Sequence, residues 1–552
     1  MLAENLNIHF ERSIKQNWDL PAFSNYKDVS NSYKQIADRI LYLHCIFKKF
    51  NLKKGDKIAL FGKNSVNWAI TYLASVSYGI VIVPILPDFK PDDVHHIVNH
   101  SESCILFTAD SLFDELDETS MNNLDAIFSL KDFSFLFSKK KAYQNYLSEA
   151  SKVYLQDFDN KLTSENYSLP EVKNEDLAAI IYTSGTTGFS KGVMLPHKSL
   201  ISNIIFAKEH MPLNPGDTIV SFLPIAHVFG CAFEFLFPFC SGCHITFLGK
   251  TPSPKVLIKS FQEIHPRLIL SVPLVIEKIY KKQIKPTLQK GSMKILLKIP
   301  ITRKLIYNKI NKKLTTVFGG NFREIVIGGA ALNEEVEGFL RDIKFRYTVG
   351  YGMTECGPLI SYAGWNKFKR ASCGAVVDRM KVKIDSSDPQ KEVGEIIVKG
   401  DNVMYGYYKN KEATNAAIDD LGWLRTGDLG IMDEDNFIFI KGRSKSMILG
   451  PAGKNIYPEE IEARLNNLPF VQESIVVDRD SKLVALVYPD MEQIDALGLN
   501  EKELQLKMDE NRKSINKVFP AYMAITKIEI YSEEFEKTPK KSIKRFLYTT
   551  QN

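Results

Sequence analysis

The sequence has no long uninterrupted apolar run and no apolar leader. Its longest apolar stretch, residues 68–86, is interrupted by serine, tyrosine, glycine and proline, which is typical of a buried helix followed by a strand and not of a membrane span. Residues 1–20 alternate charged and apolar side chains, so we expect no signal peptide. These absences argue against integral membrane and secreted classes, and they predict a cytoplasmic protein.

Cysteine is scarce, with 7 residues in a chain of 552. An odd number of widely spaced cysteines is typical of a reducing compartment, where disulfides rarely persist. Only Cys240 and Cys243 form a C-x-x-C pair. Because no second pair lies nearby to complete a zinc site, we predict that both thiols are buried structural residues.

Acidic residues are absent from residues 281–313, which contain eleven Lys or Arg. Leucines, isoleucines and Tyr307 are interleaved with these basic side chains, while the rest of the chain is net acidic. Two interpretations stay open: a solvated basic helix face, or peripheral contact with anionic lipid headgroups on the inner face of a membrane. We expect no nucleic-acid partner, because nothing elsewhere in the chain supplies a module that reads bases.

The composition, 44% hydrophobic and 25% charged residues, is that of a soluble globular protein of several structural units. In the first third, helical and strand patterns alternate, with a helical spacing over 33–48 and a strand pattern at 57–62. Such alternation predicts a layered α/β fold with a largely parallel sheet. Residues 140–175 are polar and are predicted to be surface loops, whereas 380–440 carry short strand and glycine-turn patterns. The pattern changes again beyond Gly442, where residues 501–517 have the spacing of a charged amphipathic helix.

A segment rich in hydroxyls and glycine, YTSGTTGFSKGV at 182–193, follows a strand pattern. Glycines let backbone N–H groups approach phosphate oxygens, and the hydroxyls and lysine add further donors, so the segment predicts a phosphate-binding loop. The Walker pattern G-x-x-x-x-G-K-[ST] does not match, because Ser190 stands before Lys191 where that pattern has glycine. A different family of phosphate-binding loops is therefore indicated.

Further motifs follow the loop in order along the chain. They are FLPIAHVFG (222–230), IGGAAL (327–332), VGYGMTECGP (349–358), WLRTGDLG (423–430) and KGRSKSMI (441–448). Together with the loop, they resemble the adenylate-forming superfamily of acyl-CoA synthetases, peptide-synthetase adenylation domains and luciferases. The resemblance covers nearly the whole chain.

The resemblance implies an α/β fold with two domains. The large N-terminal domain, residues 1–442, would consist of layered α/β subdomains and a small β-barrel-like part, and would hold the ATP and acyl pocket. The smaller α+β C-terminal domain, residues 443–552, would be mobile, with its hinge near Lys445.

The resemblance also implies where ATP binds. Tyr351 would pack on adenine and Thr354 would contact the α-phosphate. Asp428 and Arg443 would bind the ribose, since a carboxylate with two acceptor oxygens suits a vicinal diol. The implied ATP/AMP set is Thr183, Ser184, Gly185, Thr186, Thr187, Gly188, Lys191, Gly329, Ala330, Gly350, Tyr351, Gly352, Thr354, Asp428 and Arg443.

An acyl and thiol pocket, a catalytic set and a magnesium site are implied as well. The pocket residues are His227, Phe229, Gly230, Gly328 and Gly453; the catalytic residues are Lys541, Thr354, Glu355 and His227; the magnesium ligands are Thr183 and Glu355. Hard oxygen donors suit Mg²⁺. A single histidine in an apolar segment is usually a core residue, so His227 is expected as a pocket wall more than as a base.

The C-terminal stretch KTPKKSIKRFLY departs from the family pattern. Aligning Thr538 and Lys544 puts Ser542 where the family has a lysine that bridges the substrate carboxylate and the α-phosphate. Three interpretations follow. Lys541 serves instead, or adenylation is slow while thioester formation is retained, or the chain binds nucleotide or acyl-adenylate without adenylating.

The sequence NKKLTTVFGGNFREIVIGGAAL (311–332) resembles long-chain fatty acyl-CoA synthetases more than acetyl or aryl ones. It implies a carbon–sulfur ligase of the EC 6.2.1 type. With ATP and Mg²⁺, it would convert a long-chain fatty acid to acyl-adenylate, and then transfer the acyl group to coenzyme A. The alternatives are a ligase that uses an acyl carrier protein as acceptor, and an adenylation-deficient acyl- or nucleotide-binding homologue.

Overall fold

The computed structural model of the chain describes residues 4–158, 161–183, 191–249, 253–450, 454–480, 482–538 and 543–549. The strands of these residues are β1 Pro21–Asn25, β2 Asn31–Ser32, β3 Lys57–Phe61, β4 Val81–Ile85, β5 Ile105–Thr108, β6 Ala126–Ser129, β7 Phe135–Ser138, β8 Leu177–Thr183, β9 Lys191–Pro196, β10 Thr218–Ser221, β11 His244–Phe247, β12 Ile269–Ser271, β13 Ile325–Ile327, β14 Tyr347–Val349, β15 Tyr351–Gly352, β16 Leu359–Tyr362, β17 Ala375–Val376, β18 Met380–Asp385, β19 Gly394–Gly400, β20 Gly406–Tyr407, β21 Leu424–Met432, β22 Ile438–Arg443, β23 Ile448–Leu449, β24 Asn455–Ile456, β25 Val471–Arg479, β26 Lys482–Pro489 and β27 Ile525–Ile530.

The α-helices are α1 Leu6–Gln16, α2 Tyr33–Lys49, α3 Val66–Tyr78, α4 Pro91–Ser101, α5 Asp110–Phe113, α6 Tyr146–Asp157, α7 His197–His210, α8 Val228–Gly230, α9 Phe237–Cys240, α10 Pro254–Ile264, α11 Pro273–Ile279, α12 Lys285–Leu288, α13 Gly291–Lys298, α14 Pro300–Val317, α15 Glu334–Asp342, α16 Lys411–Ala417, α17 Pro458–Leu465, α18 Met491–Leu497, α19 Glu501–Asn516 and α20 Phe546–Thr549. Among the described residues, no helix combines the length and apolar character needed to cross a bilayer.

The largest sheet has eight strands in the order β20-β9-β8-β4-β3-β5-β6-β7. Its central pairs are parallel, and the pairs at both ends are antiparallel. Parallel strands require crossover connections: α3 connects the neighbours β3 and β4, and α4 connects β4 to β5, which lies on the other side of β3. The predicted layered α/β fold with a largely parallel central sheet is confirmed.

Helix boundaries coincide with residues that the sequence marks. α2 begins with a capping box, in which the Ser32 side chain accepts from the Gln35 N–H and the Gln35 side chain accepts from the Ser32 N–H. α3 ends at Gly79, whose φ of +89° lies in the left-handed region that favours glycine. The helices predicted over 33–48 and 501–517 are α2 and α19.

Two smaller sheets lie beside the predicted site. β12, β13 and β14 form a parallel sheet, and their carboxyl ends therefore open at one edge. β15, β16 and β17 continue from that edge as an antiparallel sheet. Helices α10, α11, α14 and α15 cover the parallel sheet with a second apolar core, which includes Phe261, Phe318 and Phe339.

The predicted β-barrel-like part is an open sheet. Four antiparallel strands lie in the order β18-β19-β21-β22. Barrel closure would require the edge strands β18 and β22 to pair, and in the described residues they do not. The prediction was therefore wrong in this detail, although the short antiparallel strands it relied on are present.

The C-terminal part builds its own core. β25, β26 and β27 form one sheet, which α17 and α19 cover; Ile461 and Met508 of the helices share one apolar core with Val476 of β25. The molecule is thus a mixed α/β protein with a large N-terminal domain and a smaller C-terminal one. The boundary near residue 442 and the hinge at Lys445 stay predictions.

Residues 140–175 were predicted to be surface loops, and this prediction was wrong for part of the segment. They contain α6, which packs against α2 through polar contacts. The Tyr154 hydroxyl donates to Asp38 Oδ1 at 2.9 Å, and Lys49 Nζ lies 3.0 Å from Glu149 Oε2. The polar sequence obscured this helix because hydrogen bonds and an ion pair, as well as apolar contacts, hold it.

Candidate functional site

Asp428 is the centre of the predicted ribose site. It lies on β21 directly opposite Arg443 on β22, and its Oδ1 is 2.8 Å from Arg443 Nε. Its Oδ2 accepts a 2.7 Å hydrogen bond from the Tyr351 hydroxyl. Asp428 therefore connects residues from three separate motifs. On the same strand, the Thr426 hydroxyl donates to the Ile396 carbonyl of β19.

Burial determines the electrostatics of this group. Asp428 is 4% exposed, and loss of hydration raises the pKa of its carboxyl, while the Arg443 guanidinium and the Tyr351 hydroxyl oppose that rise. Burial and the neighbouring carboxylate raise the pKa of Tyr351 well above its ordinary value, so its hydroxyl stays a donor. The Arg443 side chain is largely exposed, which leaves the outer side of the pair open to solvent.

Glu355 marks a second polar centre in the same motif. Its Oε1 accepts a 2.9 Å hydrogen bond from the Tyr407 hydroxyl, and its backbone carbonyl accepts from the Met404 N–H at 2.8 Å. Lys191 Nζ lies 4.9 Å from the centroid of the Tyr407 ring. Tyr407 thus connects the predicted magnesium ligand to the end of the predicted phosphate loop.

Tyr407 was missed by sequence reasoning. It lies on β20, which pairs antiparallel with β9 and so brings Tyr407 opposite Val193. The sequence GYYKN carries no recognisable motif, and the only available signal was a tyrosine beside a glycine. Burial and the Glu355 charge raise the pKa of Tyr407, so its hydroxyl donates.

The predicted magnesium ligands, Thr183 and Glu355, lie on separate elements of the structure. Thr183 ends β8 and stands opposite Lys191, the first residue of β9. The Glu355 carboxylate and the Thr183 hydroxyl supply hard oxygens of the kind that Mg²⁺ takes. Bound there, the ion would neutralise phosphate charge. Thr354, beside Glu355, is buried.

The Gly-Gly turn connects the nucleotide and acyl sides. The Gly350 N–H donates to the Ile327 carbonyl at 2.9 Å, which ties the Tyr351 motif to the turn. Gly329 has a φ of +87°, a conformation that favours glycine, and Ala330 beside it is exposed. A Cβ on Gly328 would lie 3.0 Å from the Phe229 ring. The two predicted pocket segments are therefore in contact.

His227 begins the short helix α8. Its Nδ1 accepts a 3.3 Å hydrogen bond from the Phe229 N–H, and the side chain is partly buried. A Cβ on Gly230 would lie 2.6 Å from the Pro224 carbonyl oxygen, so this turn requires glycine. This arrangement is compatible with a pocket wall, the role favoured from the sequence.

Two buried residues that sequence reasoning missed hold this wall. Glu234 Oε2 accepts from the N–H groups of Phe222 and Leu223, at 2.9 and 3.0 Å. Asn64 Oδ1 accepts from the Ile225 N–H at 3.1 Å. A buried glutamate in the apolar run CAFEFLF was the available signal.

Several predicted residues lie outside the described part of the chain. They are Ser184, Gly185, Thr186, Thr187 and Gly188 of the loop, Gly453, Lys541 and Ser542. Lys537 and Ile543, which flank the lysine stretch, form an antiparallel bridge. The predicted hinge residue Lys445 is exposed. At Gly352, a Cβ would lie 2.2 Å from the Pro358 carbonyl oxygen, so a larger residue would not fit there.

The two thiols of the C-x-x-C pair are buried, as predicted. Burial raises the pKa of Cys240 to about 12 and also raises the pKa of Cys243. Both sulfurs are therefore protonated at neutral pH, as expected of structural thiols.

Comparisons with known proteins identify the family of the chain. The family model described as "AMP-binding enzyme" matches residues 10–408. The long-chain-fatty-acid–CoA ligase FadD15 of Mycobacterium bovis is 28% identical over 80% of this chain and 74% of its own. Long chain acyl-CoA synthetase 3 of Arabidopsis thaliana is 28% identical over 85% of this chain and 75% of its own.

Among solved structures, the anthranilate CoA ligase AuaEII in complex with anthranoyl-AMP superimposes with a TM-score of 0.79. It covers 99% of this chain and 97% of its own at 18% identity, which is a likeness of fold. The family match over residues 10–408 defines the class of protein, an AMP-binding ligase. The chain belongs to the family of AMP-binding enzymes, and the match supports an adenylate-forming acyl-CoA ligase.

Proposed function

We propose that the protein activates a long-chain fatty acid with ATP and transfers the acyl group to coenzyme A. The observation that carries this is the contact of Tyr351, Asp428 and Arg443, which come from three separate motifs. It places the Asp428 carboxylate, whose two acceptor oxygens suit a ribose diol, beside the Arg443 guanidinium. The names of the curated relatives support the fatty acid and coenzyme A as substrates.

The first half-reaction joins two anions. A carboxylate oxygen of the fatty acid attacks the α-phosphorus, the bond to the β-phosphate oxygen breaks, and pyrophosphate leaves. The fatty acid is ionised at pH 7, so no general base is needed. Charge repulsion is the obstacle, and positioned cations such as Lys191 and Arg443 would offset it. Magnesium held by Glu355 and Thr183 would add to that neutralisation.

The second half-reaction makes the thioester. The thiolate sulfur attacks the acyl carbonyl, the bond from the acyl carbon to the AMP oxygen breaks, and AMP leaves, while the thiol proton passes to solvent. The pocket wall around His227 and Phe229 would face the acyl group during this step. Rotation of the C-terminal domain about Lys445 between the two steps is part of the proposal.

The test is pyrophosphate release from Mg·ATP by purified protein with a panel of fatty acids of different lengths. The parent is compared with Lys541→Ala, Ser542→Lys and the control Lys517→Ala, an exposed lysine at the end of α19. We expect release with long-chain acids that Lys541→Ala lowers by two to three orders of magnitude. Addition of coenzyme A should then give acyl-CoA, detected by mass spectrometry.

The remaining outcomes separate the alternatives. Release that appears only in Ser542→Lys would mean a protein that binds nucleotide and has lost adenylation. Release without acyl-CoA, but with acyl transfer to an acyl carrier protein, would identify the other acceptor. No release with any acid in any variant would refute the proposal.

A further inference from the structure

Residues 290–313, here called the basic hairpin, project from the N-terminal domain. They comprise α13, the turn at Ile299 and most of α14. The far end of α14 is anchored: Leu314 is buried, and Asn311 Nδ2 donates to the Ile343 carbonyl at 2.7 Å. The rest of the hairpin has only exposed or partly exposed side chains.

Large aliphatic side chains are exposed along the hairpin. Ile295 is 66% exposed, Ile301 75% and Leu305 64%, and Ile299 at the turn is also exposed. Single exposed apolar residues are common, but a cluster of them on one projecting element marks an interaction surface. The opposite side of α14 packs against the second apolar core.

Helical spacing separates these two sides. Tyr307 and Leu314, seven residues apart, face the second apolar core. Ile301 and Leu305, four apart, lie on the opposite side, and Lys312 falls on that outer side too. The outer side thus mixes aliphatic and basic residues.

The charge of the hairpin is not neutralised by the protein. It contains eight Lys or Arg and no acidic residue, and in the described part of the chain none of the eight is paired with a carboxylate within 4.0 Å. The neighbouring Lys282 and Lys285 behave differently, because they pair with Glu492 and Glu335 at 2.8 and 2.9 Å. Unpaired basic charge therefore begins where the exposed aliphatic side chains begin.

We propose that the basic hairpin docks on the surface of an anionic lipid bilayer. Its lysines and arginine would contact lipid phosphates, while Ile299, Ile301 and Leu305 enter the boundary between headgroups and acyl chains. An acidic protein partner would satisfy the charge but leaves the aliphatic side chains unexplained. The biological purpose of this docking rests on the proposed function: a long-chain fatty acid partitions into membranes, so a docked enzyme would be close to its substrate.

The test is co-sedimentation of the full-length protein with vesicles of phosphatidylcholine, with or without phosphatidylglycerol. Each basic residue near such a surface contributes about fivefold in affinity. Lys298→Glu with Lys304→Glu should therefore lower binding to anionic vesicles at least tenfold. The matched control is Lys131→Glu with Lys141→Glu, the same charge change at exposed residues near β6 and β7 of the large sheet.

A second variant separates insertion from charge. Ile301→Ser with Leu305→Ser should weaken binding at both low and high salt, whereas the charge variant matters most at low salt. Ile301→Trp should show a blue-shifted emission when anionic vesicles are added. Circular dichroism checks that each variant is folded.

Three results would overturn the proposal: equal binding by the parent and the charge variant, equal binding to neutral and anionic vesicles, or binding to an acidic carrier protein with none to vesicles. The assay contains no ATP and no fatty acid. Pyrophosphate release with detergent-dispersed fatty acid is measured separately, so failure of the docking surface is distinguishable from failure of the enzymatic proposal.

Discussion

Charge is buried and paired around Asp428, but exposed and unpaired along the basic hairpin. Asp428 has two partners within 2.8 Å, and loss of hydration shifts the pKa of its carboxyl. The hairpin lysines keep their hydration, and no carboxylate in the described residues neutralises them. The first arrangement fixes geometry for a small ligand, whereas the second leaves long-range attraction available for a large surface.

Substitutions around Asp428 and substitutions in the basic hairpin should have different effects. Removal of a buried partner leaves unsatisfied groups and changes the ligand geometry. Removal of an exposed charge costs little stability, because water replaces the lost contact. Variants of the two regions should therefore differ in which property they change as well as in magnitude.

The largest effect is expected for Glu355→Gln. The amide keeps the size of the side chain and an acceptor for Tyr407, but it loses the charge that would hold magnesium. Pyrophosphate release should fall by two to three orders of magnitude. The control is Glu392→Gln, an exposed carboxylate bonded to Ser387; an equal loss there would contradict the assignment.

Asp428→Asn should come next. Two hydrogen bonds from a diol to a carboxylate are lost or weakened, so AMP affinity should fall about 100-fold by calorimetry. Because Arg443 is largely exposed, the variant leaves no buried cation and should fold. Asp385→Asn, which removes a surface partner of Arg425, is the matched control and should bind AMP normally.

The pH dependence of Asp428 sharpens the comparison further. The pKa of Asp428 is higher in the folded state than in the unfolded state, so protonation of this carboxyl favours folding. The resulting stabilisation is complete below the unfolded-state pKa and is lost as pH rises through the folded-state pKa. Under the proposed function AMP binding needs the Asp428 carboxylate, so the affinity for AMP should weaken as pH falls through that raised pKa. Titration of Asp428→Asn by calorimetry should show neither trend; persistence of both would assign them to another group.

The smallest effect is expected for the hairpin. Lys298→Glu with Lys304→Glu should change the free energy of unfolding by less than about 0.5 kcal/mol, because both side chains are exposed. Pyrophosphate release with detergent-dispersed fatty acid should match the parent. A large loss of either quantity would mean that the hairpin supports the fold or the site, and the contrast between the two regions would fail.

Much of the fold was accessible from the sequence. The 3.6-residue spacing of apolar side chains marks α2 and α19, and the alternation of helix and strand predicts the layered sheet. Helix α6 escaped prediction because residues 140–175 are polar overall, and hydrogen bonds and an ion pair to α2 hold the helix as well as apolar contacts. The prediction of a barrel-like part was wrong, because short strands and glycine turns do not reveal whether the edge strands pair.

For the candidate site, motif order predicted which residues belong together. The structure brings Tyr351 and Arg443 into contact with Asp428, while the binding roles of the three residues stay predictions. Tyr407 was not found, because it reaches Glu355 through the pairing of β20 with β9, two segments more than 200 residues apart. Pairing between distant strands leaves no local signature in a sequence.

The sequence alone determined the local properties of this protein: helix periodicity, glycine positions, the order of the motifs and the segregation of basic charge into residues 281–313. Each depends on neighbours along the chain. Only the tertiary structure decided that Asp428 is buried beside Arg443 while the hairpin lysines stay in water. Hydration and pairing of a charge depend on what packs around it in three dimensions, and distant segments supply those neighbours.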